Sequence, residues 1–242
     1  MSADDWVKLA FNKEYLELYS HRDLSEAQTH CNSLIKLAKL DSKNLSIFDC
    51  CCGAGRYSQI LQEMGFKLIG LDLSMDLLQV AKKGNVSNVR GDIRLLPFFE
   101  KFDRVLSLFT SFGYFENDEQ NFNVLKEMSQ SLVIGGYLYL DFLNPNNVKA
   151  SDWEEKQLGK KNIRSKKEIN ENIGMVIKTV EIIEGSTIVN AYTERVKLYD
   201  ENWFNKNIDA AGLKLEAVYG DYNGNLCEKN SPRNIYLLKK LT

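Results

Sequence analysis

Ile47-Phe48-Asp49-Cys50-Cys51-Cys52-Gly53-Ala54-Gly55-Arg56 is the stretch on which the fold turns. The apolar run from Leu45 to Cys51 reads as a buried strand. Gly53 and Gly55 supply a tight turn, and Gly55 to Met64 reads as a helix closed by Gly65. A strand, a glycine turn and a helix in that order open a nucleotide-type α/β unit.

The same alternation continues outward. Phe66–Leu71 reads as a second strand, Asp76–Lys83 as a helix ended by Gly84, Val86–Arg90 as a short third strand and Phe102–Leu108 as a fourth. A helix over Asn117–Leu132 is expected to stop before Gly135-Gly136, with Tyr137–Phe142 as the fifth strand. Strands alternating with helices imply parallel pairing and right-handed crossovers, hence a doubly wound, mostly parallel α/β sheet. Ahead of it, Trp6–Tyr19 has one helical apolar pattern and a second helix starts at Ser25. Residues 146–200 break the rhythm. Val176–Ile183 and Thr187–Tyr199, separated by Glu184-Gly185-Ser186, predict an inserted antiparallel hairpin, with another strand near Ile163–Lys167. A helix over Glu201–Ala211 and strands over Leu213–Tyr219 and Ile235–Lys240 complete the chain. The expected organisation is one domain over 1–242, with a helical cap over 1–40 and the β insertion over 146–200.

Composition narrows the function. With 31 Lys+Arg against 33 Asp+Glu the net charge is −2, which does not provide the basic surface of a nucleic-acid binder. No apolar run reaches the ~18–20 residues of a membrane helix, and the acidic start lacks a signal-peptide core. A cytoplasmic protein without nucleic-acid or membrane partners is expected. Three consecutive cysteines, Cys50, Cys51 and Cys52, lack the spacing of a disulfide framework or a zinc site, so no metal is expected and the thiols read as small core side chains.

Ligands in an open parallel sheet bind beyond the carboxyl ends of its strands. Asp49, Asp72 and Asp92 stand at three successive strand ends. Asp72 lies 17 positions after Gly55, where a nucleotide fold places its ribose carboxylate. Asp92 is placed to accept from an adenine amino group, although any one aspartate also suits a helix N-cap. Asn144 follows strand five, Asp221 and Tyr222 follow strand six, and Arg233 opens the last strand; all four are candidates for the acceptor side.

The opening stretch resembles the first motif of class I S-adenosylmethionine-dependent methyltransferases, in their bacterial small-molecule branch. Gly70-Leu71-Asp72-Leu73-Ser74 looks like the second motif, Gly91-Asp92-Ile93 the third, and Phe102–Phe115 the fourth-strand segment. The likeness is strong over residues 45–142. Tyr15–Asp23 and Ser231-Pro232-Arg233 are similar to flanking segments of such domains. Cys51 departs from the family by standing where its first motif glycine usually is.

The resemblance implies a Rossmann-like sheet with an antiparallel last strand, S-adenosylmethionine as cofactor and methyl transfer to a small-molecule acceptor. It places Asp49, Gly53, Ala54 and Gly55 along the methionine portion, Asp72 at the ribose, and Leu73 and Ile93 around adenine, whose amino group meets Asp92. Ser107 and Phe109 stand beside the cofactor in the same scheme. Arg56, Arg22 or a tyrosine of the first helix would reach the methionine carboxylate. Tyr15 and Tyr19 would close over the sulfonium, since aromatic faces attract cations, or simply fill the core. His21 and Tyr19 are the catalytic candidates, with His30 behind them. Arg233, on an antiparallel last strand, would hold an acceptor carboxylate or phosphate. The insertion, with Trp153 and Tyr192, would cover the acceptor, so removing residues 150–198 is expected to spare cofactor binding.

Two other classes share the sheet. A nicotinamide-dependent oxidoreductase would want a fuller G-x-G-x-x-G, whereas the third position here is Ser58. A base-amino nucleic-acid methyltransferase would want an Asn/Asp-Pro-Pro-aromatic motif after strand four, where Ser107-Leu108-Phe109 stands. A binding module without turnover is the remaining reading.

Overall fold

The computed structural model describes residues 6–19 and 24–241. In chain order the elements are α1 (Trp6–Ala10), α2 (Lys13–Leu18), α3 (Leu24–Leu37), β1 (Ser46–Cys50), α4 (Arg56–Glu63), β2 (Lys67–Asp72), α5 (Met75–Lys83), β3 (Asn88–Arg90) and β4 (Phe102–Ser107). They continue with α6 (Asp118–Ser131), β5 (Leu132–Leu143), β6 (Ser151–Leu158), β7 (Lys161–Asn170), β8 (Met175–Glu184), β9 (Thr187–Lys197), α7 (Glu201–Ala210), β10 (Leu213–Tyr219) and β11 (Arg233–Lys240).

Seven strands form one sheet in the order β10-β11-β5-β4-β1-β2-β3. Pairs among β1 to β5 are parallel, while β11 runs antiparallel to both β5 and β10. The order reverses between β1 and β4, and the carboxyl ends of those strands therefore open a crevice.

Period-two side-chain alternation feeds two cores. Phe48, Val105, Leu138 and Leu140 face one layer with Val124, Leu125 and Met128 of α6 and Phe204 of α7. Ile47, Leu68, Leu106 and Tyr139 face the other, with Ala27, Cys31 and Leu34 of α3 and Ile60 and Leu61 of α4. A third cluster joins Trp6, Ala10 and Leu18 to Ile163, Val180, Ile182 and Tyr192. It is the seam between the N-terminal helices and the insertion.

Three local expectations are revised. The single helix over Trp6–Tyr19 is two short ones, because the Asn12 side chain accepts from the Tyr15 N–H and caps α2. The insertion is a four-stranded antiparallel sheet, β6-β7-β8-β9, larger than the expected hairpin with one further strand. Edge strand β6 was invisible because its interior is wholly exposed and carries no apolar alternation. Gly135 and Gly136 lie inside β5. Gly135 has φ +82°, and there the pairing with β4 slips from Phe102↔Leu132 to Arg104↔Tyr137.

Candidate active site

The turn after β1 alternates left-handed residues: Cys51 at φ +62°, Gly53 at +56° and Gly55 at +75°. Gly55 has no room for a side chain, since a Cβ there would lie 2.9 Å from both Ala81 and Val86. Its role is to bring α4 against α5, and it does not line the cavity. Cys51 is the one non-glycine in this turn held in the conformation that costs L-residues roughly 1–2 kcal/mol. Cys51→Gly is therefore expected to leave the melting temperature unchanged or raise it, the strain relief offsetting the roughly 0.4–1 kcal/mol of added chain freedom. Cofactor affinity should persist. Thermal unfolding with and without ligand checks both, and a clear drop in melting temperature would contradict the strain argument.

Asp72 ends β2 and holds the turn in place. One carboxylate oxygen accepts the Gly53 N–H at 2.8 Å and the other accepts the Ser74 N–H at 2.8 Å. Burial raises its pKa while those backbone donors oppose the rise. Asp49 is deeper, 3% exposed, and accepts from the Ser58 hydroxyl at 2.5 Å. Burial pushes its carboxyl up to about 7, Ser58 works against the rise, and Asp72 adds to it. The Cys52 thiol is pushed well up by burial and by Asp49 and Asp72. Cys51 is raised by contact with Cys50 and by burial. Neither sulfur is primed as a thiolate nucleophile.

The Asp49 shift has a defined sign. Its carboxyl binds a proton more tightly folded than at its ordinary value of 3.8, so this contribution to stability is complete below about pH 4 and fades as pH rises through about 7. The cofactor-free protein is expected to lose melting temperature between pH 5 and 8 more steeply than Asp49→Asn. A cationic ligand beside Asp49 favours the carboxylate and should flatten the wild-type slope. Parallel slopes in the two proteins would refute the assignment.

A cavity of about 390 Å³ opens above the turn. Its floor is Asp49, Cys51, Cys52, Gly53 and Ala54, with Arg56 and Tyr57 from the start of α4. Asp72 and Leu73 form one wall with Gly91, Asp92, Ile93 and Arg94; Leu108, Phe109, Ser111, Tyr114 and Phe115 form the other. Val7, Phe11, Tyr15, Leu16 and Tyr19 roof it from α1 and α2. Phe11 and Tyr114 stack at 5.9 Å, and Tyr15 and Tyr19 lie 4.5 Å apart.

Eleven of the expected residues meet here: Tyr15, Tyr19, Asp49, Gly53, Ala54, Arg56, Asp72, Leu73, Asp92, Ile93 and Phe109. Asp92 is engaged, both its oxygens taking the Arg94 guanidinium at 2.7–3.2 Å. Ser107 is fully buried beneath the turn, its hydroxyl without a hydrogen-bond partner among the described residues. His21 and Arg22 lie outside the described residues. His30 pairs with the Tyr57 hydroxyl at 2.9 Å and sits 4.3 Å from the Tyr222 ring.

The four acceptor-side candidates do not line the cavity. Asn144 donates to the carbonyls of Lys229 and Ser231. Asp221 folds back on Asn223 and Asn225 in its own turn. Arg233 is bound to Asp141 at 2.7 Å and to the Thr110 hydroxyl at 2.7 Å, and Tyr222 donates to the other Asp141 oxygen at 2.6 Å. The expected anion clamp is thus already occupied by a carboxylate of the chain itself. Asp141 was missed although its signal was present: an acid inside Leu138-Tyr139-Leu140-Asp141-Phe142 must find partners when buried. It is fully buried and also accepts the Phe109 N–H at 2.8 Å, fixing Phe109 and Thr110 at φ +54° and +61°.

The insertion also differs from expectation in what it touches. None of its residues lines the cavity. Trp153 is exposed under Arg164, and Tyr192 is in the seam with α1 and α2. Glu14, Glu17 and Tyr19 of the roof are held by Asn190, Lys161 and the Glu194–Lys178 pair. Replacing residues 150–198 with a linker would strip the roof of its support. Cofactor affinity is now expected to fall in such a variant, and a calorimetric titration matching wild type would reject this.

The donor set suits S-adenosylmethionine: a carboxylate beside a glycine turn for the ribose, apolar Leu73 and Ile93 around a flat ring, and acids and aromatic rings near a cation. A family model described as a methyltransferase domain matches residues 47–136. The chain is similar to the cypemycin N-terminal methyltransferase of a Streptomyces species, 24% identical over 81% of this chain and 83% of that one. Among solved structures it resembles the CcbJ methyltransferase from Streptomyces caelestis, with TM-score 0.77 and 16% identity over 90% of both chains. It also resembles CalS10 with S-adenosylmethionine bound, an amino pentose methyltransferase from Micromonospora echinaspora, with TM-score 0.70 and 18% identity over 94% of this chain and 97% of that one. With its glycine turn, strand-end carboxylates and aromatic roof, the chain carries a methyltransferase domain over residues 47–136 and resembles the class I S-adenosylmethionine-dependent methyltransferases.

Proposed function

We propose that the protein methylates an amine nitrogen of a small-molecule acceptor. The observation that carries this reading is the aromatic cluster of Phe11, Tyr15, Tyr19 and Tyr114 lining the cavity, with Phe11 stacked on Tyr114, together with the acidic groups Asp49 and Asp72. Such a box suits a cation and its uncharged amine. The cypemycin enzyme acts on an N-terminus and CalS10 on an amino sugar, and both names point to the same acceptor chemistry.

S-adenosylmethionine supplies an electrophilic methyl group on a sulfonium. The work left to the chain is positioning and exclusion of water. Asp72 and the Gly53 turn fix the cofactor's ribose end, and Asp92 with Arg94 bounds the adenine end. Arg56, beside Phe109 and Tyr57, is placed for the methionine carboxylate. Tyr15 and Tyr19 close the roof over the acceptor. A cytoplasmic site of action belongs to the same proposal, since a reducing compartment keeps the five free cysteines as thiols.

The test has two parts. S-adenosylmethionine and its demethylated product should raise the melting temperature by mass action and NAD should not. Isotope-labelled cofactor with a panel of primary amines, alcohols, thiols and carboxylic acids should then place label on amines. Label confined to oxygen or sulfur products would overturn the amine reading.

A further inference from the structure

The inserted sheet hydrogen-bonds a side chain of the cavity roof. Tyr19 lines the cavity, and its hydroxyl donates to Glu194 Oε1 at 2.9 Å while accepting from Lys178 Nζ at 2.6 Å. Lys178 and Glu194 stand opposite one another across β8 and β9, 4.0 Å apart, with side chains 23% and 22% exposed. One step along the same face is the pair Val180↔Tyr192, which packs in the seam with α1 and α2. Two-residue periodicity therefore aims the charged pair at the roof.

The groups around Tyr19 divide clearly. Tyr15 of α2 is its ring neighbour, Lys178 comes from β8, and Glu194 and Tyr192 come from β9. Tyr192 is 5% exposed, and its hydroxyl has no hydrogen-bond partner among the described residues. Burial and then Glu194 push its phenol up. Tyr114, stacked on Phe11, is raised by burial, with Cys51, Tyr15 and Glu194 adding to it. Those two phenols stay protonated. Tyr19 is a cavity phenol whose oxygen touches both a carboxylate and an ammonium.

We propose that Glu194, steadied by Lys178, is a positioning residue that lets Tyr19 carry a proton away from an amine acceptor. The inference rests on the amine reading above. An ammonium acceptor must lose one N–H proton before its nitrogen has a lone pair for the methyl group. Tyr19 takes that proton on its phenol oxygen as its own O–H proton passes to Glu194. Glu194 releases it to water at the partly exposed edge of the sheet. The acceptor leaves with one new N–C bond, the cofactor's S–C bond is broken, and the phenol is regenerated.

The experiment is a pH titration of protein carrying carbon-13 at the tyrosine Cζ, with S-adenosylhomocysteine bound and Tyr19 assigned through Tyr19→Phe. Glu194→Gln keeps a hydrogen-bond acceptor but removes the charge, and it should move the Tyr19 titration down by about 1 unit. Lys178→Met should move it up by a similar amount. With the amine returned by the acceptor panel, Glu194→Gln should lower kcat at least about 10-fold and displace its pH profile, with cofactor affinity unchanged. In the Tyr19→Phe background the same substitution should have no further effect. Titrations unmoved by either substitution, or additive rate losses, would overturn the relay and leave an ion pair that only clasps the roof. A panel in which no amine is methylated would overturn the amine reading and the relay together, whereas methylation indifferent to Glu194 would overturn the relay alone.

Discussion

Asp72→Ala is expected to weaken S-adenosylmethionine binding about 100-fold. In the proposed cofactor pose this cavity-lining carboxylate accepts ribose hydroxyls while it also anchors the Gly53 and Ser74 N–H groups. Losing two hydrogen bonds to a charged acceptor, at the low end of about 1.5 kcal/mol each, removes about 3 kcal/mol. That corresponds to roughly two powers of ten in Kd. The substitution also leaves the Gly53 N–H without its acceptor, so the left-handed turn loosens and the loss is not confined to the ribose. Asp72→Asn retains one carbonyl acceptor and should fall between, near 10-fold. Titration calorimetry on the three proteins reads this directly, and an Asp72→Ala affinity within threefold of wild type would remove Asp72 from the cofactor site.

The floor of the cavity was legible because its residues are fixed by local sequence. A strand end, a glycine turn and a following helix are adjacent in the chain, so Asp49, Gly53 and Arg56 arrive together. Asp72 and Asp92 follow from the same rule applied to the next two strands. Gly55 was legible as a turn residue but not as a packing residue, since Ala81 and Val86 approach it from elsewhere in the chain.

The roof of the cavity was not legible for a related reason. It is assembled by contacts between distant segments, and no spacing rule reports them. Tyr19 meets Glu194 across a sequence separation of 175, and Asn190 meets Glu14 across 176. The seam that supports the roof therefore could not be read from either segment alone. Strand β6 shows the complementary failure: an edge strand with exposed charge on both faces has no period to detect. Tyr114 and Phe115 were inside a recognised segment but were not singled out. Only the position of the roof gives them cavity surface.

Arg233 had been expected to act on the acceptor, and the structure pairs it with the buried Asp141 carboxylate away from the cavity lining instead. Its guanidinium contacts Asp141, whose side chain is fully buried, and burial opposes its charge while Asp141 and Tyr222 raise its pKa on balance. Removing one partner of a buried pair costs about 3–5 kcal/mol, because the other charge is left uncompensated. Tyr222 and the Phe109 N–H still serve Asp141, so Arg233→Ala should sit near the lower figure, about 3 kcal/mol. For a chain of this length that is a drop of roughly 6–12 °C in melting temperature. Asp141→Asn should also release the Phe109–Thr110 turn, which spends two residues in left-handed backbone and carries Phe109 into the cavity. It should therefore lose stability and cofactor affinity together, whereas Arg233→Ala loses mainly stability. The double substitution Arg233→Met with Asp141→Leu separates pairing from burial, since replacing both charges by apolar groups is often neutral or better. Melting curves and calorimetry on the four proteins decide it: an Arg233→Ala variant that keeps its melting temperature but loses acceptor binding would return Arg233 to the acceptor site.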